Sequence, residues 1–210
     1  MDNPVIIFGA NTLGQAAMEI FESNKIVVYG FLDDNMKLHG TELNDVTVLG
    51  KTDDDGFLKL IGKKCEGFIA EDDMKLRKSI VSLMMERRKK MPVNAIHNTS
   101  EIAPSSFIGH GNFINSNVVI GANAKIANHC IVNSNATIDY SAELSDLVQV
   151  GAGSTICNGV KVDENVFIGA GVTIVSGVTI GKDARIGAGS IVIADVPAGK
   201  TVFGNPAKEV

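Results

Sequence analysis

The chain has 210 residues, 45% of them hydrophobic, with 22 Gly, 5 Pro, no Trp and 24 acidic against 19 basic side chains, for a net charge of −5. That composition belongs to a globular chain of one or two domains, without the basic footprint of a nucleic-acid binder, and its apolar runs stop well short of the ~20 residues of a membrane helix. Three cysteines, Cys65, Cys130 and Cys157, cannot all pair and form no C-x-x-C motif, which points to a reducing, cytoplasmic compartment and away from a zinc cluster.

The start of the chain lacks the basic-then-apolar pattern of a signal peptide. Up to about Pro92, short apolar strands alternate with helical stretches, the βαβ pattern of an α/β domain. Strands are predicted over 4–9, 25–32, 46–49 and 66–70, and a helix over 14–23. The strongest helix spans 73–91, where Leu76, Ile80, Leu83 and Met84 recur at helical spacing and Arg87-Arg88-Lys89-Lys90 places cations at the negative pole. That basic run is read as a solvated helix terminus. Gly9 and Gly14 free backbone amides at a helix N-terminus, and Asp33 and Asp34 end the second strand where ribose or base donors arrive. The turn therefore reads as a nucleotide site or as a plain βα turn beside a solvated acidic loop.

From residue 102 the period changes to six. Every sixth position from Ile102 to Val192 is Ile, Leu or Val, sixteen in succession, and the residue two before each is small or slim, as at Ala124, Cys130, Ala136 and Ser154. Glycine follows the repeat aliphatic at Gly109, Gly121, Gly151, Gly169, Gly181 and Gly187, where a tight corner is expected to need a residue free of Cβ. Such a unit describes one face of a three-sided parallel β-helix. Sixteen units make five coils and one further face, about 25 Å long at about 4.8 Å per coil. The organisation is then an α/β domain over 1–92 and a β-helix over 93–210.

The repeat resembles the hexapeptide-repeat acyltransferases, whose coils are left-handed. Outside it, Ile6-Ile7-Phe8-Gly9-Ala10-Asn11-Thr12-Leu13-Gly14, Gly30-Phe31-Leu32-Asp33-Asp34, Phe68-Ile69-Ala70, Arg77-Lys78 and the terminal Gly204-Asn205-Pro206-Ala207-Lys208 resemble the sialic acid O-acetyltransferase and bacillosamine N-acetyltransferase group. The resemblance implies a Rossmann-like domain binding a nucleotide-linked amino sugar through Gly9, Asn11, Gly14, Asp33 and Asp34. It implies a β-helix that transfers acetyl from acetyl-CoA, with no metal, and a homotrimer with the donor in the cleft between neighbours. Asn158, Ala170, Ser176, Gly177, Ala188 and Gly189 match the family's CoA wall. Lys208 is placed to meet the CoA phosphate as a point charge, with Lys182, Arg185 and Lys200 near the same end.

The chain departs from the pattern at telling positions. The family's catalytic histidine and its acidic partner correspond to Tyr140 and Ser141, a second, donor-holding histidine to Gln149, and Thr12, Leu13 and Asp72 replace a glycine, a histidine and a glycine. A tyrosine phenol ordinarily titrates near 10 and is about 0.1% ionised at neutral pH, a poor general base. His110 and His129 fall on a different face from Tyr140, and His97 is read as structural. The expectation is an acyl-CoA-dependent acyltransferase on a sugar or nucleotide-sugar amine or hydroxyl, with Tyr140 at the base position. The alternative is a catalytically degenerate binding or scaffold protein of the same fold.

Overall fold

A computed structural model describes residues 3–210, and the chain divides into two compact units, one ending at Ala95 and one running from Ile96 to Val210. In the first, β1 (Val5–Phe8), α1 (Thr12–Ser23), β2 (Val28–Leu32), β3 (Glu42–Leu43), β4 (Val46–Gly50), α2 (Asp55–Leu58), β5 (Glu66–Ile69) and α3 (Met74–Arg88) follow in order. The sheet runs β3-β4-β2-β1-β5, parallel except for β3. All four residues of β1 are buried, as a central parallel strand covered on both faces requires. Helix α1 starts where Asn11 accepts the Gly14 amide, and it buries Ala17, Met18, Ile20 and Phe21, the last edge-on to Phe68 with ring centroids 5.5 Å apart.

Helix α3 differs from its sequence expectation in two ways. Its buried face is Arg77, Ile80 and Met84, whereas Leu76 is 43% exposed, so the leucine stripe is not wholly core. The helix ends at Arg88, three residues short of the predicted end; Arg87, Lys89 and Lys90 are exposed, as a solvated terminus requires, with Arg87 paired to the exposed Asp55 at 2.7 Å, while Arg88 donates to the Ile61 carbonyl. The short β3 and α2 had no counterpart in the periodicity.

The second unit is a parallel β-helix. Two-residue strands begin with β6 (Ala95–Ile96) and continue as β7 to β22, from Glu101–Ile102 to Ile191–Val192, followed by β23 (Thr201–Gly204) and β24 (Ala207–Glu209). Each repeat strand pairs in parallel with the strand eighteen residues on, as Thr155 with Thr173 and Ile156 with Ile174. The first face therefore carries Ile120, Ile138, Ile156 and Ile174, the second Ile126, Leu144, Val162 and Ile180, and the third Ile114, Val132, Val150, Ile168 and Ile186. These aliphatics and the small residues two before them form one continuous core. Ile96 packs against that core, so the lattice starts one unit earlier than the Ile102 read from the sequence.

The glycines that follow the repeat aliphatics serve another purpose than the expected corner. The left-handed residue lies three past the aliphatic, at Asn117, His129, Ser141, Leu147, Gly171 and Gly189, with φ between 56° and 71°. Gly169 is instead required by stacking, because a Cβ there would stand 2.6 Å from the Ala188 nitrogen of the next coil.

Candidate active site

Three backbone amides at the first turn of the α/β unit, those of Gly9, Ala10 and Gly14, are engaged within the fold. The Ala10 amide donates to Asp33 Oδ2 at 2.8 Å and the Gly14 amide to Asn11 Oδ1 at 2.9 Å, while Asn11 Nδ2 donates to the Ala70 carbonyl. Gly9 has φ +109° and a Cβ there would overlap the Ala70 oxygen; one on Gly14 would overlap the Gly9 oxygen. The two glycines thus let β1, β5 and α1 close together, and their own amides are spent, Gly9 on the Leu32 carbonyl and Gly14 on Asn11, which corrects the expectation that these two glycines supply free amides at the helix N-terminus.

Asp33 also accepts from the Asn35 amide at 2.8 Å, so both of its oxygens are occupied, and its carbonyl lies 2.7 Å from His39 Nε2. Asp34 Oδ1 accepts from the Thr52 amide and hydroxyl at 3.0 and 2.9 Å. Beside it, Gly9, Asp34 and Glu71 line a small cavity of about 80 Å³. A larger one of about 370 Å³ continues past Thr52 along α3. Arg77, buried to 2% exposure, donates from Nε to the Glu71 carbonyl at 2.6 Å and from Nη2 to the Asp72 carbonyl at 3.2 Å, fixing the loop that carries Glu71. Burial pushes the Glu71 carboxyl above its ordinary range, and the Asp72 charge adds to that, while the Asp73 amide that donates to it acts in the opposite direction.

On the β-helix, the i to i+18 register stacks Tyr140, Asn158 and Ser176 along the corner between the first and second faces. The Gly159 amide donates to the Tyr140 carbonyl at 3.3 Å, the Gly177 amide to the Asn158 carbonyl at 3.1 Å, and the Ser176 hydroxyl to Asn158 Oδ1 at 2.5 Å. Ala170, Ala188 and Gly189 lie on another corner, between the third and first faces, with the Gly189 amide donating to the Ala170 carbonyl at 2.8 Å. The two sets therefore bracket the first face. Its outward side chains from Val119 to Ile191, with Thr137, Thr155 and Thr173 between, carry no charge. At Gly171, Gly177 and Gly189 nothing stands within 4 Å of a Cβ position, so the backbone is open to close approach.

Tyr140 is 52% exposed, and its amide donates to Asp139 Oδ1 at 2.8 Å. One coil on, burial raises the Cys157 thiol pKa, with the Asp139 charge contributing. Gln149 is outward on the third face between Ile131 and Phe167, away from the Tyr140 corner within one chain. His110 and the buried His129 share the remaining corner, where the His129 amide donates to the His110 carbonyl. His97 accepts from the Thr99 amide through Nδ1 at 3.1 Å. Lys208 sits on β24 opposite Phe203, whereas Lys182 pairs with Glu164, Lys200 with Glu209, and Arg185 lies 4.7 Å from the Phe167 ring centre. Among the described residues no group of three potential metal ligands occurs. The sequence reading missed Arg77 as a loop clamp and Leu76 and Thr52 as cavity walls; an arginine inside the apolar period of α3 was the available signal.

The family model for bacterial transferase hexapeptide (six repeats) matches residues 159–194, within the β-helix. The whole chain is similar to several solved structures, acetyltransferases among them. A histidine-to-alanine variant of GDP-perosamine N-acetyl transferase from Caulobacter crescentus, in complex with CoA and GDP-perosamine, superimposes with a TM-score of 0.91 at 28% identity, covering 100% of this chain and 98% of that one. The acetyltransferase domain of PglB from Neisseria gonorrhoeae, in complex with acetyl coenzyme A, gives 0.89 at 25% identity over 100% of both chains. WeeI from Acinetobacter baumannii gives 0.86 at 25% identity over 99% of both. No curated protein matches the chain. These likenesses bear out the resemblance read from the motifs.

Proposed function

We propose that the protein transfers an acyl group, acetyl before others, from CoA to the amine of a nucleotide-linked amino sugar. The observation that carries this is the end-to-end likeness to GDP-perosamine N-acetyl transferase in complex with both CoA and its sugar nucleotide. The N-terminal unit is read as a Rossmann-like acceptor domain, because its parallel sheet has a glycine turn after β1 and an acidic end to β2, where open α/β sheets bind ligands. Acetyl-CoA is assigned to the first face between Val119 and Ile191, where the outward side chains carry no charge, and to its two corners. Asn158, Ser176 and Gly177 line one side and Ala170, Ala188 and Gly189 the other, where the open glycine backbone supports the fit. Gln149 and Lys208 are assigned to the same donor, Lys208 to its phosphate. The chain is assigned a homotrimeric assembly.

In the reaction the amine lone pair attacks the thioester carbonyl, a C–N bond forms, the C–S bond breaks, and CoA leaves as a thiolate that takes up the proton the nitrogen gives up. With Tyr140 at the base position, an amine already deprotonated in solution is the acceptor that demands least of the protein. Tyr140 and Ser141 also favour a second reading, a binder of the same fold that does not turn over. Acetyl-CoA consumption with a panel of nucleotide-linked amino sugars decides between them. Turnover supports the transferase; binding of CoA and sugar nucleotide without turnover supports the binder, and binding of neither removes both.

A further inference from the structure

Two basic stretches far apart in the chain meet in the α/β unit. Lys59, Lys63 and Lys64 stand in the turns between α2 and β5, and Arg87-Arg88-Lys89-Lys90 closes α3; neither 59–64 nor 87–90 contains an acidic residue. Arg88 donates from Nε and Nη2 to the Ile61 carbonyl at 3.1 and 2.8 Å, and a Cβ on Gly62 would stand 2.8 Å from Lys90 Cε. The helix end therefore lies directly against the 59–64 turn. All five lysines are exposed. Taking these seven cations from the 19 basic residues leaves 12 against 24 acidic ones, so the net charge of −5 divides into +7 on this patch and −12 on all other side chains. A solvated helix terminus needs only its last turn, whereas the second stretch adds like charge beside it and so adds repulsion.

The composition of the patch narrows its partner. The two arginines, whose planar fork reads a single phosphate through paired bonds, are engaged inside the fold, Arg88 on Ile61 and Arg87 on Asp55 at 2.7 Å. The outward charge is thus mostly lysine, a point charge on a flexible stem that answers to the potential of a surface more than to one geometry. No aromatic side chain stands in 59–64 or 85–91 for a nucleobase to stack on. Apolar side chains do stand there: Met85 is 40% exposed, and Leu60 and Met91 are half-buried. Such groups settle at headgroup level once charge has drawn a bilayer close. Among the described residues no helix is long and apolar enough to cross a membrane, so the contact is peripheral.

We propose that this face docks the protein on a bilayer surface rich in anionic lipid, the acidic remainder of the chain turning the patch towards it. The test is co-sedimentation of the full chain with phosphatidylcholine vesicles containing about a third phosphatidylglycerol, against pure phosphatidylcholine. Each cation near such a surface multiplies partitioning about fivefold, so at about 0.1 M salt the anionic vesicles should hold the protein at least about a hundredfold more tightly than the neutral ones. Salt at about 1 M, where the screening length falls from about 10 to about 3 Å, should release it. Lys63→Glu with Lys90→Glu should weaken binding at least about twentyfold. Lys37→Glu with Lys161→Glu, the same change of net charge at exposed positions elsewhere, should leave it nearly unchanged, and Lys63→Arg with Lys90→Arg should bind like the natural protein. Should the first pair unfold by circular dichroism, Lys63→Ala with Lys64→Ala reads the same loss. Equal binding to both vesicles, or equal loss in the two glutamate pairs, would overturn the proposal. So would release from the vesicles by glycerophosphate or by random-sequence duplex DNA at equal phosphate concentration, the first marking a single-phosphate site and the second a nucleic-acid surface.

Discussion

Glu71 shows how far one carboxyl can be set by its loop. Arg77 holds the loop carbonyls from below, and burial keeps the Glu71 acid above its ordinary range. A carboxyl with a higher pKa folded than unfolded binds its proton more readily in the fold. Its contribution to stability is therefore greatest in acid and falls as pH rises through the unfolded carboxylate value towards the folded one. Glu71→Gln should raise the thermal midpoint at pH 7, with the gap to the natural protein closing below about pH 4; a gap of equal size at both pH values would rule out this electrostatic origin. At Tyr140 the question is chemical. A positioned base contributes about 10² to 10⁴ in rate, so the pair Tyr140→His with Ser141→Glu should raise thioester consumption at least about tenfold, a small part of that range. Brisk natural turnover that survives Tyr140→Phe would instead place the base elsewhere, with His110 and His129 the next residues to replace.

Within the β-helix, two neighbouring glycines separate two kinds of constraint. Gly169 has no room for a Cβ, which would meet the backbone of the next coil at 2.6 Å, whereas Gly171 has open space but φ +66°. Gly171→Ala should cost about 1 to 2 kcal/mol of backbone strain. Gly169→Ala should cost more, because two hydrogen-bonded coils must move apart, and urea unfolding of the two variants measures the order. Ile168→Asp places a carboxylate at a fully buried position, costing several kcal/mol against a total of about 5 to 15, and should unfold the unit by circular dichroism. This lattice was legible in the sequence because each coil buries one aliphatic and one small residue at a fixed spacing. The reason for the glycines was not, since steric contact with residues eighteen positions away leaves the same letter as a turn. The exposure of Leu76 was hidden for a related reason: period locates a stripe on a helix but not which of its edges meets the sheet. The Tyr140, Asn158 and Ser176 column follows from i+18 spacing alone, whereas the clamp from Arg77 to the Glu71 loop depends on a tertiary fit that no local pattern encodes.

For the whole molecule, the faces of the β-helix differ in what they can bury. The second face presents Lys125, Glu143 and Lys161, with Lys125 paired to Glu143 at 2.9 Å and the two side chains 63% and 42% exposed. Such a pair gains little at a surface and loses several kcal/mol per ion on desolvation. The first face carries Val119, Thr137, Thr155, Thr173 and Ile191 outward, all β-branched, and its one ionisable side chain among the described residues, Glu101, lies at its first strand. If three chains associate through their β-helices, the first face is the one that loses least by leaving water, and its bordering corners carry the residues assigned to CoA. Light scattering at micromolar concentration should give three times the chain mass of 22.2 kDa. Thr155→Arg should shift that mass to the monomer, because an unpaired guanidinium would enter the contact, and CoA binding should fall with it. Lys161→Ala on the second face should leave both unchanged. A monomer in the natural protein would sink the trimer. A trimer that survives Thr155→Arg but breaks with a charge placed on another face would move the contact, and the donor cleft would move with it.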